Sequence, residues 1–144
     1  MSVPIQRVLQ TKGSDVLTIT SDASVGEAVR RLADRNVGAI VVVEGETAVG
    51  VLSERDVVRQ LAVHPDVLEL TVGEVMTSPV HSCGPDATID ELMHLMTEGR
   101  FRHVPVIDDG RLVGIVSIGD VVKHRIDELA TQAEQLTDYV SGSY

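Results

Sequence analysis

Tryptophan is absent from the 144 residues, phenylalanine occurs once, tyrosine twice and cysteine once. Few rings leave little to stack on unpaired bases, and 12 basic residues against 22 acidic ones leave a formal charge of −10. Generic DNA or RNA binding, which rests on basic excess and stacking platforms, is therefore excluded as an expectation. A lone thiol, Cys83, cannot close an intramolecular disulfide and fits a reducing compartment. No run approaches 18 uninterrupted apolar residues, and Met1 to Gln10 lacks a cationic-then-apolar leader pattern. These absences together describe a soluble cytoplasmic chain with no membrane partner.

What the sequence has in quantity is valine, 25 residues of it. β-Branched side chains suit pleated strands, so an aliphatic α+β core is expected. A chain of this length buries roughly 70% of its unfolded surface and needs no covalent staple.

Shifted on itself by 64 positions, the chain aligns residues 16–59 with 80–123 without a gap, 11 of the 44 pairs being identical. The matches concentrate where Val49-Gly50-Val51-Leu52-Ser53-Glu54-Arg55-Asp56 lies on Val113-Gly114-Ile115-Val116-Ser117-Ile118-Gly119-Asp120. An internal duplication of this period is a structural repeat. Each copy predicts a short strand (about 16–20 and 79–83), then an amphipathic helix with apolar residues at i, i+3, i+4 and i+7. Those residues are Val25, Ala28, Val29 and Leu32, then Ile89, Leu92, Met93 and Met96. Ser24-x-x-Glu27 and Thr88-x-x-Glu91 are capping boxes at the starts of these helices. Two apolar runs follow, hinged at Glu44-Gly45-Glu46 and Asp108-Asp109-Gly110 as hairpins, and a second helix starts after Ser53 and Ser117.

The order β-α-β-β-α per repeat predicts two units packed as one pseudo-two-fold module. The boundaries are an N-terminal segment 1–15, repeats 16–64 and 79–126, a connector 65–78 holding a helical turn near Thr71, and a C-terminal extension 127–144. The last helix carries Val121, Val122, Ile126, Leu129, Ala133 and Leu136 as an apolar stripe suited to packing on the domain or a second subunit.

The Gly-h-h-Ser-x-x-Asp junction, twice in one register and each time behind a valine-rich hairpin, resembles the cystathionine-β-synthase (CBS) domain, here as a free-standing pair. The resemblance implies a regulatory, non-catalytic module that holds an adenine nucleotide (AMP, ADP, ATP or NAD) between its repeats, senses energy or redox state and passes the state to a protein partner. It also implies a homodimer. The residues agree on physical grounds. A carboxylate one turn into a helix accepts hydrogen bonds from vicinal ribose hydroxyls, and an N-terminal cap lies beside free N–H groups that suit a phosphate. Ser53 with Asp56 and Ser117 with Asp120 match that arrangement, although Ser-x-x-Asp also caps helices with no ligand involved.

Arg102 and His103 match the basic pair that reaches phosphates in similar modules, whereas repeat 1 offers Gly38 and Ala39 there and has Arg55 instead. Arg100 next to them is equally read as surface charge. An adenine slot is implied at Thr18 to Thr20 with Ile40, and at His81 to Cys83 with Val104. No obligatory cofactor is expected. His81-x-Cys83 lacks the companions of a metal site, and Cys83 lacks the partners of a nucleophile. Three alternatives stay open: a ligand-independent dimerisation or interaction subunit, a sensor of S-adenosylmethionine, and an enzyme acting on nucleotides, for which the sequence offers no candidate base or metal site.

Overall fold

Asp109 and Gly110, at φ 52° and 78°, make the left-handed two-residue turn that joins β4 (His103–Asp108) to β5 (Arg111–Ser117). The first hairpin, β2 (Ala39–Glu44) with β3 (Thr47–Ser53), turns at Gly45, φ 64°. Both hairpins are antiparallel, in the same register 64 residues apart: Ala39 faces Ser53 as His103 faces Ser117. The coordinates are a computed structural model that describes residues 3–13, 15–99 and 101–140.

The capped helices form where the apolar spacing puts them, α2 at Val25–Arg35 and α5 at Ile89–Gly99. Ser24 and Thr88 accept the N–H groups of Glu27 and Glu91. The Glu27 carboxylate turns to Arg31 at 2.8 Å, so only the hydroxyl half of that capping box closes. Val25, Ala28 and Leu32 are buried in one core and Ile89, Leu92 and Met96 in the other.

The first strands of the repeats differ. β1 (Thr18–Thr20) pairs parallel with β2, giving a three-stranded sheet. The strand expected at 79–83 is reduced to a single bridge between Cys83 and Val106. The reason is Pro105. In repeat 1 the Val41 N–H donates to the Leu17 carbonyl at 3.0 Å. Position 105 has no N–H to give His81, and the ladder stops.

Two short α-helices lie outside the repeat alignment and help to complete the cores. The turn foreseen near Thr71 is α4 (Val72–Val75), capped by Thr71 and Glu74 and buried against repeat 1. The N-terminal segment forms α1 (Ile5–Lys12), whose Ile5, Val8 and Leu9 are buried against repeat 2. The two dock alike. Val72 and Gly73 donate to the Ala23 and Ser21 carbonyls, and Ile5 and Gln6 to those of Ala87 and Pro85, at 2.7–3.1 Å. α4 stops after one turn, and the chain runs extended beside β3. α1 continues for a second turn to Lys12.

β3 leads directly into α3 (Glu54–Leu61), and β5 into α6 (Ile118–Val140), 23 residues long. Of the α6 stripe only Val121 is buried. Val122, Ile126, Leu129 and Leu136 are 47–64% exposed. Among the described residues no helix is long and apolar enough to cross a membrane.

Candidate functional site

The site starts at the strand-to-helix junction of repeat 1. Ser53 ends β3 in extended conformation and caps α3. Its hydroxyl accepts the Asp56 N–H at 3.2 Å and donates to Asp56 Oδ2 at 3.1 Å, while its own N–H donates to that oxygen at 2.9 Å. The second carboxylate oxygen, Oδ1, accepts the Thr77 hydroxyl at 3.2 Å. Ser117 and Asp120 repeat the box at β5–α6, with bonds of 2.8 and 3.1 Å. There the carboxylate meets the ammonium of Lys12, which also donates to the Ile115 carbonyl at 2.7 Å.

A cleft of about 790 Å³ opens at the repeat 1 junction. Ser53, Arg55, Asp56 and Arg59 line one side, and Thr77 of the connector with Pro79, Val80 and His81 at the start of repeat 2 line another. Phe101, Arg102 and His103 come from repeat 2, across the pseudo-two-fold axis. Three guanidiniums, Arg55, Arg59 and Arg102, thus face two carboxylates, Glu54 and Asp56, in a chain of net charge −10. A cleft lined this way concentrates the field on an anion. Phe101, the one phenylalanine, stacks on His81 with ring centres 4.0 Å apart and planes at 29°.

Charge states follow from these surroundings. Burial lowers the His103 pKa below its ordinary 6.5, with Lys12 and Arg102 adding to the effect against Asp120 and Glu54, so the ring is neutral near pH 7. Burial alone would raise the Asp120 carboxyl, but the Lys12 bond and the Ser117 donors together hold it below 3.8. Burial, reinforced by Glu91, pushes the Cys83 thiol up to about 11.

Of the residues singled out in the sequence, Ser53, Arg55, Asp56, His81, Arg102 and His103 share this one cleft. Ser117 and Asp120 lie at the other junction, against Lys12. Ile40 and Val104 are wholly buried in the two cores. Thr18 lies on β1, its carbonyl taken by Arg31 at 2.9 Å. Cys83 is half-buried against the repeat 2 core. Arg100 lies outside the described residues. Among the described residues no three of His, Cys, Asp and Glu gather as a metal site.

Four groups at the two junctions escaped the sequence reading: Arg59, Thr77, Phe101 and Lys12. Arg59 carries a local signal, being one helical turn beyond Arg55 on α3. The other three are brought in by tertiary packing.

The CBS domain model matches residues 9–63 and again 72–127. The crystal structure of the CBS-domain containing protein ATU1752 from Agrobacterium tumefaciens is 44% identical, covers 85% of this chain and 99% of its own, and superposes with a TM-score of 0.82. The CBS domain-containing protein CBSX3, mitochondrial, of Arabidopsis thaliana is 36% identical over 99% of this chain and 74% of its own length. A second similar structure is the CBS domain pair of protein MJ0100 in complex with 5-methylthioadenosine and S-adenosyl-L-methionine. It is 27% identical with a TM-score of 0.76, over 84% of this chain and 98% of that one.

Proposed function

The chain belongs to the CBS-domain family, as a pair of tandem repeats, and from that premise we propose that it is a regulatory sensor of an adenine nucleotide rather than an enzyme. The observation that carries the reading is the cleft itself. It brings a capped carboxylate, Asp56, into the same space as three arginines contributed by both repeats. Asp56 accepts the ribose hydroxyls, and Arg55, Arg59 and Arg102 take the phosphates, whose oxygens suit the planar guanidinium fork. A volume of about 790 Å³ is in the range of small-molecule sites and has room for AMP, ADP, ATP or NAD. A ligand tying α3 of one repeat to the β4 entry of the other favours one relative orientation of the two, provided the orientations differ in affinity. α6 then carries the change to a second subunit or to a protein partner.

S-Adenosylmethionine is the competing ligand, because the MJ0100 pair was solved with it. Three guanidiniums oppose its sulfonium and favour a phosphate. An interaction-only role is supported by the two capping boxes, whose bonds are made by the chain's own groups.

Calorimetric titration with AMP, ATP, NAD and S-adenosylmethionine tests the reading. Micromolar binding of a phosphate-bearing ligand, lost in Arg102→Ala, is the expected result. Preference for S-adenosylmethionine overturns the phosphate assignment. No heat from any of the four, with folded and nucleotide-free protein, returns the interaction role.

A further inference from the structure

The two junctions share a sequence motif and a capping geometry, yet their carboxylates have different neighbours. In repeat 1 the connector supplies Thr77. Its N–H donates to the Val51 carbonyl at 2.9 Å and its hydroxyl to Asp56 at 3.2 Å. In repeat 2 one lysine does both tasks. Lys12 Nζ donates to Ile115, which aligns with Val51, and to Asp120, which aligns with Asp56. A hydroxyl is neutral and turns aside when a ribose arrives. An ammonium in a half-buried ion pair must be separated from its carboxylate first.

The position of Lys12 is fixed by the helix behind it. Leu9, one turn earlier, is buried in the repeat 2 core and lies where a Cβ at Gly114 would come within 2.6 Å of its methyl. The glycine lets α1 lie flat on β5, and that brings the ammonium to the junction. The remaining residues of this junction offer a thinner cationic wall than the first cleft, with only Lys123 matching Arg59. Gly119 stands in place of Arg55, and Gly38 and Ala39 in place of Arg102 and His103.

We propose that Lys12 is a built-in occupant of the repeat 2 junction, so that the module takes one adenosine-type ligand per chain, at Asp56, and keeps Asp120 closed. The proposal rests on the reading of these carboxylates as ribose acceptors. It assigns the N-terminal helix a role in setting ligand number.

Titration of the full chain and of Lys12→Met with adenosine, which presents a ribose diol without needing a phosphate wall, separates the possibilities. One adenosine per wild-type chain and two per Lys12→Met chain is the expected result, with Lys12→Arg remaining at one. Two per wild-type chain, or one in a Lys12→Met chain whose circular dichroism and melting are native-like, overturns the proposal and leaves the ribose reading intact. None in wild type and one in the variant upholds the role of Lys12 and removes the Asp56 site. None in either overturns both. Should Lys12→Met not fold, Lys12→Gln keeps much of the stem, loses the charge, and takes its place.

Discussion

The Thr77 hydroxyl donates to Asp56 Oδ1 across 3.2 Å, tying the connector to the first turn of α3. Asp56 is thus both a cap and a cleft wall, and the two roles separate by mutation. Asp56→Asn keeps a cap-competent side chain and removes the charge. Asp56→Ala removes both. Loss of the cap costs about 1 kcal/mol of stability. Loss of a hydrogen bond to a charged acceptor costs about 1–3 kcal/mol of ligand affinity. Urea denaturation and calorimetry on the two variants check this, with affinity lost in both and the larger stability loss in Asp56→Ala.

Acid should weaken the fold through the Lys12–Asp120 pair. Asp120 titrates below its ordinary 3.8, so between that value and the lower native one the unfolded chain binds the extra proton. The contribution is whole above that window and is lost as pH falls through it. His103, held below 6.5, adds an earlier decline from that value downward. Melting temperatures from pH 7 to 3 should fall in both ranges. Asp120→Asn flattens the lower part and His103→Gln the upper.

Cys83 should be a poor nucleophile. A thiol raised from 9.0 to about 11 has about a hundredfold less thiolate at neutral pH. Ellman's reagent should label the native protein far more slowly than the urea-unfolded chain, and fast native labelling would contradict the burial that raises it.

Glycine substitutions divide by what stands beside them. A Cβ at Gly50 would lie 2.6 Å from Met76 Sδ and 2.9 Å from the Thr77 carbonyl, which belongs to backbone bonded to Val51. Gly50→Ala should cost about 1–3 kcal/mol. At Gly38 the close atom is Glu54 Oε1, the free end of a side chain. Gly38→Ala should stay within about 0.5 kcal/mol. Chemical denaturation midpoints of the two variants decide.

α6 presents Ile126 and Leu129 at 59% and 56% exposure. A stripe of that kind suits an identical surface on a second copy. Sedimentation should find a dimer, and Ile126→Glu or Leu129→Glu a monomer.

Much of this architecture was legible because it is local. The hairpins follow from Gly45 and from Asp109-Gly110, and α2 and α5 from their apolar spacing and caps. The lost strand at 79–83 is written in Pro105, but only comparison with Val41 one repeat earlier reveals it. The cleft was half legible. Arg55 and Arg102 stand out as differences between the repeats and suggest two clefts. The pseudo-two-fold axis faces the β4 entry of one repeat with the α3 start of the other, so both arginines line the same one. Lys12 had no sequence signal at all. It lies outside the aligned repeats, and only the docking of α1 on β5 brings it 108 residues along the chain to Asp120.

α1 also imposes an order on the making of the protein. Repeat 1 and α4 are contiguous, and that core can close as soon as the connector is synthesised. Ile5, Val8 and Leu9 belong with Ile89, Leu92 and Val104, which are translated much later. α1, made before either repeat, is therefore among the last of these elements to be seated, its greasy side unmatched while the two repeats are still being threaded out of the ribosome.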